Sequence, residues 1–186
     1  MEQKPRQEQL DIKIEIVDIP TPQILEAIKN LRIAIAQDPE EAFYLVTDQE
    51  NEESMTNEER AELFFGEGKF VSLAWSGNDI VGMNRAENQG SGLWYIGSFC
   101  IKKQFRGRLG ERLFKDLLRE ISKRGGIKIV AAIKKRNTRT LHTAQRFGFK
   151  VTRENNPLPY VGGFDVELDL TKPEVLQKLK EVSDER

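Results

Sequence analysis

The segment Gln104-Phe105-Arg106-Gly107-Arg108-Leu109-Gly110 joins two stretches of different periodicity, and that junction constrains the fold more than any other feature. Upstream, residues 93–101 are rich in aromatic and β-branched side chains and read as a buried strand. Downstream, Leu109, Leu113, Phe114, Leu117, Leu118 and Ile121 recur at three- and four-residue steps along one face of a helix. A glycine turn that opens a helix presents unpaired backbone N–H groups at the positive end of the helix dipole. Arg106 and Arg108 add fixed positive charge, so the junction predicts a pyrophosphate cradle at Gly107 and Gly110. The plainer reading is a tight turn with solvated arginines, and the same residues serve it.

Two common cradles do not fit. A Walker A loop ends in Gly-Lys-Ser/Thr, and the dinucleotide fingerprint needs three glycines where Gly107 and Gly110 supply two. The segment resembles motif A of the GNAT acetyltransferases, Q/R-x-x-G-x-G/A, with Gln104, Arg106 and Gly107 matching in order. It departs from the usual Arg-Gly-x-Gly-Ile-Gly by lacking one residue and the middle glycine. The run from Asn137 to Gly148-Phe149 resembles the family's second signature, an Asn at a strand end, a short helix, then Gly-Phe. Both signatures stand in the family's order, separated by one helix and one strand, and the resemblance covers roughly residues 11–170.

The resemblance implies a mixed α/β (α+β) fold: a largely antiparallel sheet with a central, splayed parallel strand pair flanked by helices. It implies an acetyl-CoA-dependent N-acetyltransferase that moves an acetyl group to a primary amine of a small molecule or protein, by direct attack in a ternary complex. Acetyl-CoA is the expected cosubstrate, held by Phe99, Cys100, Ile101, Gln104, Phe105, Arg106, Gly107, Arg108, Leu109, Gly110 and Asn137. In this picture the backbone of residues 99–101 pairs with the pantetheine arm and donates an N–H to the thioester oxygen. Core packing of Phe99 and Ile101, and a helix N-cap at Asn137, are compatible with those roles. No metal is expected.

Many members carry a tyrosine four residues before Gly-Phe to protonate the leaving thiolate; that position is Ala144 here. His142, the only histidine, lies two steps away, toward the other side of a helix, and reads as a solvated side chain. Some members place a glutamate near the start of the 93–101 strand, where this chain has Tyr95. Tyr95, as a relay of a proton through water, and Glu87, at the end of the preceding strand, are the two candidates for the base. Core packing is the competing role for Tyr95. The absent tyrosine and shortened loop leave an alternative, an acyl-CoA-binding module without turnover. A nucleic-acid binder is a further alternative, resting on Lys102, Lys103, Arg106, Arg108, Lys134, Lys135, Arg136 and Arg139.

The remainder of the chain is consistent with one domain over residues 10–186 after a disordered tail at 1–9. Basic and acidic residues interleave to a net charge of −1, which gives no reason for nucleic acid or an anionic membrane as the main partner. A lone Cys100, no signal-like apolar run and no transmembrane-length stretch point to a cytoplasmic protein. Alternating isoleucines at 12, 14 and 16 predict a first strand. Thr21-Pro22 predicts a helix start, and Thr56 with Glu59 a capping box. Residues 70–75 and 80–87 predict a hairpin, 127–133 a strand parallel to 93–101, and 149–153 and 163–170 short strands. Thr171 with Glu174 predicts a last helix carrying Val175, Leu176, Leu179 and Val182. Residues 47–56 read as an exposed acidic loop; its Asp48-Gln49-Glu50-Asn51-Glu52-Glu53 run points to a cationic acceptor or to simple solvation.

Overall fold

The structure, a computed structural model, describes residues 11–38, 49–156 and 163–180. The N-terminal tail, Asp48 and Val182 lie outside the described residues. Seven strands form one sheet: β1 (Ile12–Val17), β2 (Lys69–Ser76), β3 (Asp79–Gly90), β4 (Leu93–Ile101), β5 (Lys128–Lys134), β6 (Lys150–Asn156) and β7 (Gly163–Asp169). Their order is β1-β2-β3-β4-β5-β7-β6, and every neighbouring pair is antiparallel except β4–β5.

Helices cover both faces, which explains why the middle strands are apolar almost throughout. Along β2, Val71 and Leu73 join one core with Leu25, Ile28 and Leu31 of α1 (Pro22–Ala36) and Phe64 of α3 (Asn57–Phe64). Phe70 faces the opposite core with Leu117, Leu118 and Ile121 of α4 (Arg108–Lys123). The period-two alternation of the strand therefore divides its side chains between two helical layers. Helix α5 (Thr138–Phe147) leads into β6, and α6 (Pro173–Lys180) docks Val175 and Leu179 beside α4's core.

Local chemistry sets the ends. Thr21 accepts from Ile24 N at 3.3 Å with Pro22 at the first helical position. Thr56 and Glu59 form the full capping box, with Glu59 N donating to Thr56 Oγ1 at 3.1 Å and Thr56 N to Glu59 Oε2 at 2.8 Å. After α4, Gly126 passes so close to its own helix that a Cβ would stand 2.4 Å from Ile121 Cγ2. That close approach turns the chain directly into β5.

One expectation is overturned. Within the loop expected over 47–56, Gln49–Ser54 is a short helix, α2, and Glu52 is fully buried. Its Oε1 accepts from Arg32 Nε at 2.8 Å, and its Oε2 accepts from Arg60 Nη1 at 3.1 Å. A buried carboxylate held by two guanidiniums is a structural tie between α1, α2 and α3, and charge composition alone does not distinguish it from solvated acid.

Candidate active site

Strands β4 and β5 begin as a parallel pair, with Leu93, Trp94 and Tyr95 opposite Lys128, Ile129 and Val130, and there the pairing stops. Beyond Tyr95, β4 continues on β3 as far as Ile101, while β5 continues on β7 as far as Lys134. The sheet opens between them into a cleft. Two cavities of about 340 Å³ each lie along it and share Phe99, Thr140 and Thr143.

The outer cavity is built on the start of α4. Gly107 caps that helix at φ +94, ψ −122, a backbone conformation that a residue with a Cβ holds only under strain. No atom lies within 4 Å of where its Cβ would be, so backbone shape and not crowding calls for glycine. Gly107, Arg108 and Gly110 line the cavity with Arg106, and α5 contributes Arg139 and Arg146. Arg106 Nε donates to Ile101 O at 3.3 Å. Burial, and then the neighbouring charge of Arg139, hold the Arg106 pKa below its ordinary value. Converging guanidiniums at a helix N-terminus repel one another until an anion lies between them. Glu111, the one acid on this wall among the described residues, is ion-paired to Arg146.

Between the cavities, β4 carries a bulge. Met83 pairs with Cys100 and Arg85 with Gly97, so Asn84 alone faces both Ser98 and Phe99. Ser98 sits at φ +55, unusual for a residue with a side chain. The bulge takes Ser98 and Phe99 out of one-to-one register at the mouth of the inner cavity, which both residues line.

The inner cavity holds Tyr95, whose ring folds back over Gly97: a Cβ on Gly97 would be 3.5 Å from the hydroxyl. Burial raises the Tyr95 pKa, so the phenol stays protonated. Glu87 stands opposite Tyr95 in the β3–β4 register and 3.4 Å from Arg85 Nη2, and it lines neither cavity. Asn137 caps α5 by accepting from Thr140 N at 3.0 Å and also lines the inner cavity. Burial pushes the Cys100 thiol up to about 11, leaving it a packed, un-ionised wall of the outer cavity.

Phe99, Cys100, Ile101, Arg106, Gly107, Arg108, Gly110 and Asn137 are thus gathered along one cleft with Tyr95. Four candidates lie off its walls, Glu87 among them. Gln104 is exposed on the 3-10 turn Lys103–Phe105, while Phe105 and Leu109 pack into the cluster around Ile101 and Leu113. Ala144 lines the inner cavity without a hydroxyl, and His142 faces the outer one.

The sequence of residues 31–149 matches the family model described as Acetyltransferase (GNAT) family. The chain belongs to that family. The GNAT fold recurs in an aminoglycoside 6'-acetyltransferase type Ii, at 17% identity and TM-score 0.68 over 84% of this chain and 96% of that one. A GNAT-family acetyltransferase from Staphylococcus aureus Mu50 matches at 13% identity and TM-score 0.67, covering 85% and 99%. The PaiA N-acetyltransferase from Thermoplasma acidophilum, solved with coenzyme A, matches at 14% and 0.63, covering 84% and 99%. No curated protein matches the sequence significantly.

Within this GNAT cleft, sequence reasoning missed Arg32, Asn84 and Arg85, all on the inner cavity. A signal existed for Asn84. Asparagine is disfavoured in strands, and this one interrupts the apolar run of β3. Arg32 follows Leu31 on α1 and gives no such signal, because its burial depends on Glu52 across a gap of 20 residues.

Proposed function

We propose that this protein is an acetyl-CoA-dependent N-acetyltransferase that passes the acetyl group directly to a primary amine. The observation that supports it best is the continuity of the cleft. A cationic helix start lies at one end, an open β4 edge with a bulge in the middle, and a mainly apolar pocket carrying a few polar groups at the other. Acetyl-CoA as cosubstrate supplies the activated thioester. Arg106, Arg139 and the first N–H groups of α4 suit its pyrophosphate, and the opened edge of β4 suits its amide-bearing arm. The bulge at Ser98–Phe99 supplies backbone N–H groups for the thioester oxygen, where charge grows during attack.

The amine nitrogen bonds the acetyl carbon as the carbon–sulfur bond breaks, and the amine's surplus proton leaves. The departing sulfur takes a proton, and Tyr95, protonated and folded over Gly97, is the group assigned to give it. Glu87 serves as the charge partner of Arg85. A thiolate leaves well enough that the hydroxyl missing at Ala144 is compatible with turnover.

Ala144 favours a second reading, an acyl-CoA-binding module without turnover. Two measurements decide. Millimolar acetyl-CoA should raise the melting temperature by several degrees, as expected for a ligand near a hundred times its Kd. Thiol release should then appear with at least one amine of a broad panel. A shift without release leaves the binding module; no shift removes both readings.

A further inference from the structure

The inner cavity is mainly apolar; the charged residues on its walls are Arg32, Arg85 and Lys134, and no carboxylate lines it among the described residues. Of the acidic run that pointed to a cationic acceptor, Glu52 is turned to other use, since it lies between Arg32 and Arg60. Two guanidiniums against one carboxylate leave positive charge in excess beside the cavity. Asn84 is 1% exposed, and neither its Nδ2 nor its Oδ1 has a hydrogen-bond partner among the described residues. Arg85 Nε is buried and likewise without a partner there, although Nη1 donates to Leu63 O at 2.6 Å and Nη2 stands 3.4 Å from Glu87 Oε2. Native proteins rarely leave such groups idle, and when they do a ligand or water commonly completes them.

We infer that the acceptor is a small amine with a carboxylate close to its nitrogen, an amino-acid-like zwitterion. Arg85 Nε and Asn84 Nδ2 donate to the carboxylate, while Asn84 Oδ1 accepts from the amine. The inference rests on acetyl transfer at this cleft and names the substrate class of that site. The acceptor enters as an ammonium and gives up one proton to solvent before attack. Its nitrogen then bonds the acetyl carbon, the carbon–sulfur bond breaks, and the sulfur takes up the second nitrogen proton, which reaches it by way of Tyr95. The products are the N-acetyl amino acid and free thiol. Asn84 and Arg85 are specificity residues in this scheme.

The test is a thiol-release assay on the full chain with matched amines: L-phenylalanine, L-phenylalaninamide and phenethylamine, the same series for leucine and glutamate, and spermidine. The carboxylated member of each series should lead in kcat/KM by at least tenfold. Arg85→Leu should raise KM for that member by at least tenfold and leave KM for phenethylamine within about threefold. Asn84→Asp should reverse the preference by placing a like charge beside the carboxylate. Equal or better turnover of the decarboxylated amines or spermidine overturns the inference, as does preference for an acidic peptide over every free amino acid. Should no amine release thiol while acetyl-CoA still raises the melting temperature, product binding decides. With CoA present, N-acetyl-L-phenylalanine should add a further shift and N-acetylphenethylamine should not; equal shifts overturn the inference. Absence of any acetyl-CoA shift is a separate result, which removes the acetyltransferase reading itself and the inference with it.

Discussion

The Tyr95 ring lies across Gly97, with Cε1 3.1 Å from the point where a Cβ on Gly97 would stand. Gly97 has no positive φ to explain its identity, so the missing side chain serves the tyrosine. Tyr95 is the last β4 residue paired with β5, opposite Val130, and Gly97 lies just beyond it, where β5 no longer pairs. The hydroxyl is thereby held over Gly97, the residue before Ser98 of the bulge.

Gly97→Val should push the Tyr95 ring aside and lower kcat, with the melting temperature as the check on folding. Tyr95→Phe should cost on the order of a hundredfold in kcat if its hydroxyl delivers the proton. The double variant should then be no worse than Tyr95→Phe alone, because both changes remove one function. Full additivity of the two losses would separate Gly97 from the proton path.

Tyr95 also makes a statement about pH. Its folded pKa is raised by burial, whereas the unfolded chain titrates near the ordinary value of about 10. The folded state therefore holds a proton that the unfolded state releases. The contribution is fully present below pH 10 and is lost as pH rises through the folded value. Melting temperature should fall more steeply with pH above 10 in the wild type than in Tyr95→Phe, and the two curves should run parallel from pH 7 to 9.

Glu52→Gln removes the charge that Arg32 and Arg60 share. Breaking a buried ion pair from one side leaves an uncompensated charge and costs about 3–5 kcal/mol. For a chain of this length that corresponds to roughly 6–20 °C in melting temperature. Replacing all three residues by apolar ones should recover much of the loss. A fall of less than 2 °C in the single variant, about 1 kcal/mol or less, would show that solvent reaches the triad.

How much of this was legible in the sequence depended on how far apart the deciding residues lie. The Gly107 turn into α4, the Thr56–Glu59 box and the Asn137 cap are read from neighbours within a turn of helix, and each forms as expected. The parallel pairing of β4 and β5 followed from the helical crossover between them. The fate of Glu52 did not follow from local pattern, because its partners approach only after α1, α2 and α3 have packed. Asn84 and Arg85 line the cavity where β4 bulges opposite them. Register shifts of that kind are set by two strands jointly, and neither strand's periodicity reveals them.

Gly107→Ala tests the turn as backbone. The added methyl meets no atom, so the cost is conformational, about 1–3 kcal/mol for a non-glycine residue at that φ and ψ. Relief of that strain would tilt the first turn of α4 and its N–H groups. The variant should fold, lose a few degrees of melting temperature, and lose most of the further rise given by acetyl-CoA. An undiminished rise would place the pyrophosphate on the arginines alone.

Cys100 distinguishes direct transfer from a route through an acetylated enzyme. A nucleophilic cysteine needs its thiolate, and burial pushes this thiol up to about 11, well above the ordinary range. At pH 7.5 the ionised fraction is then a few hundred-fold below that of a free thiol with pKa about 8.5. Iodoacetamide should label the native protein at least a hundredfold more slowly than the denatured chain. Cys100→Ala should keep kcat within about threefold, after allowance for a small loss of stability from the deleted sulfur in the α1 core. Mass spectrometry of protein incubated with acetyl-CoA alone should show no added acetyl group. An acetyl adduct on Cys100, together with collapse of activity in the alanine variant, would replace direct attack by a two-step route and reassign Tyr95 to the second step.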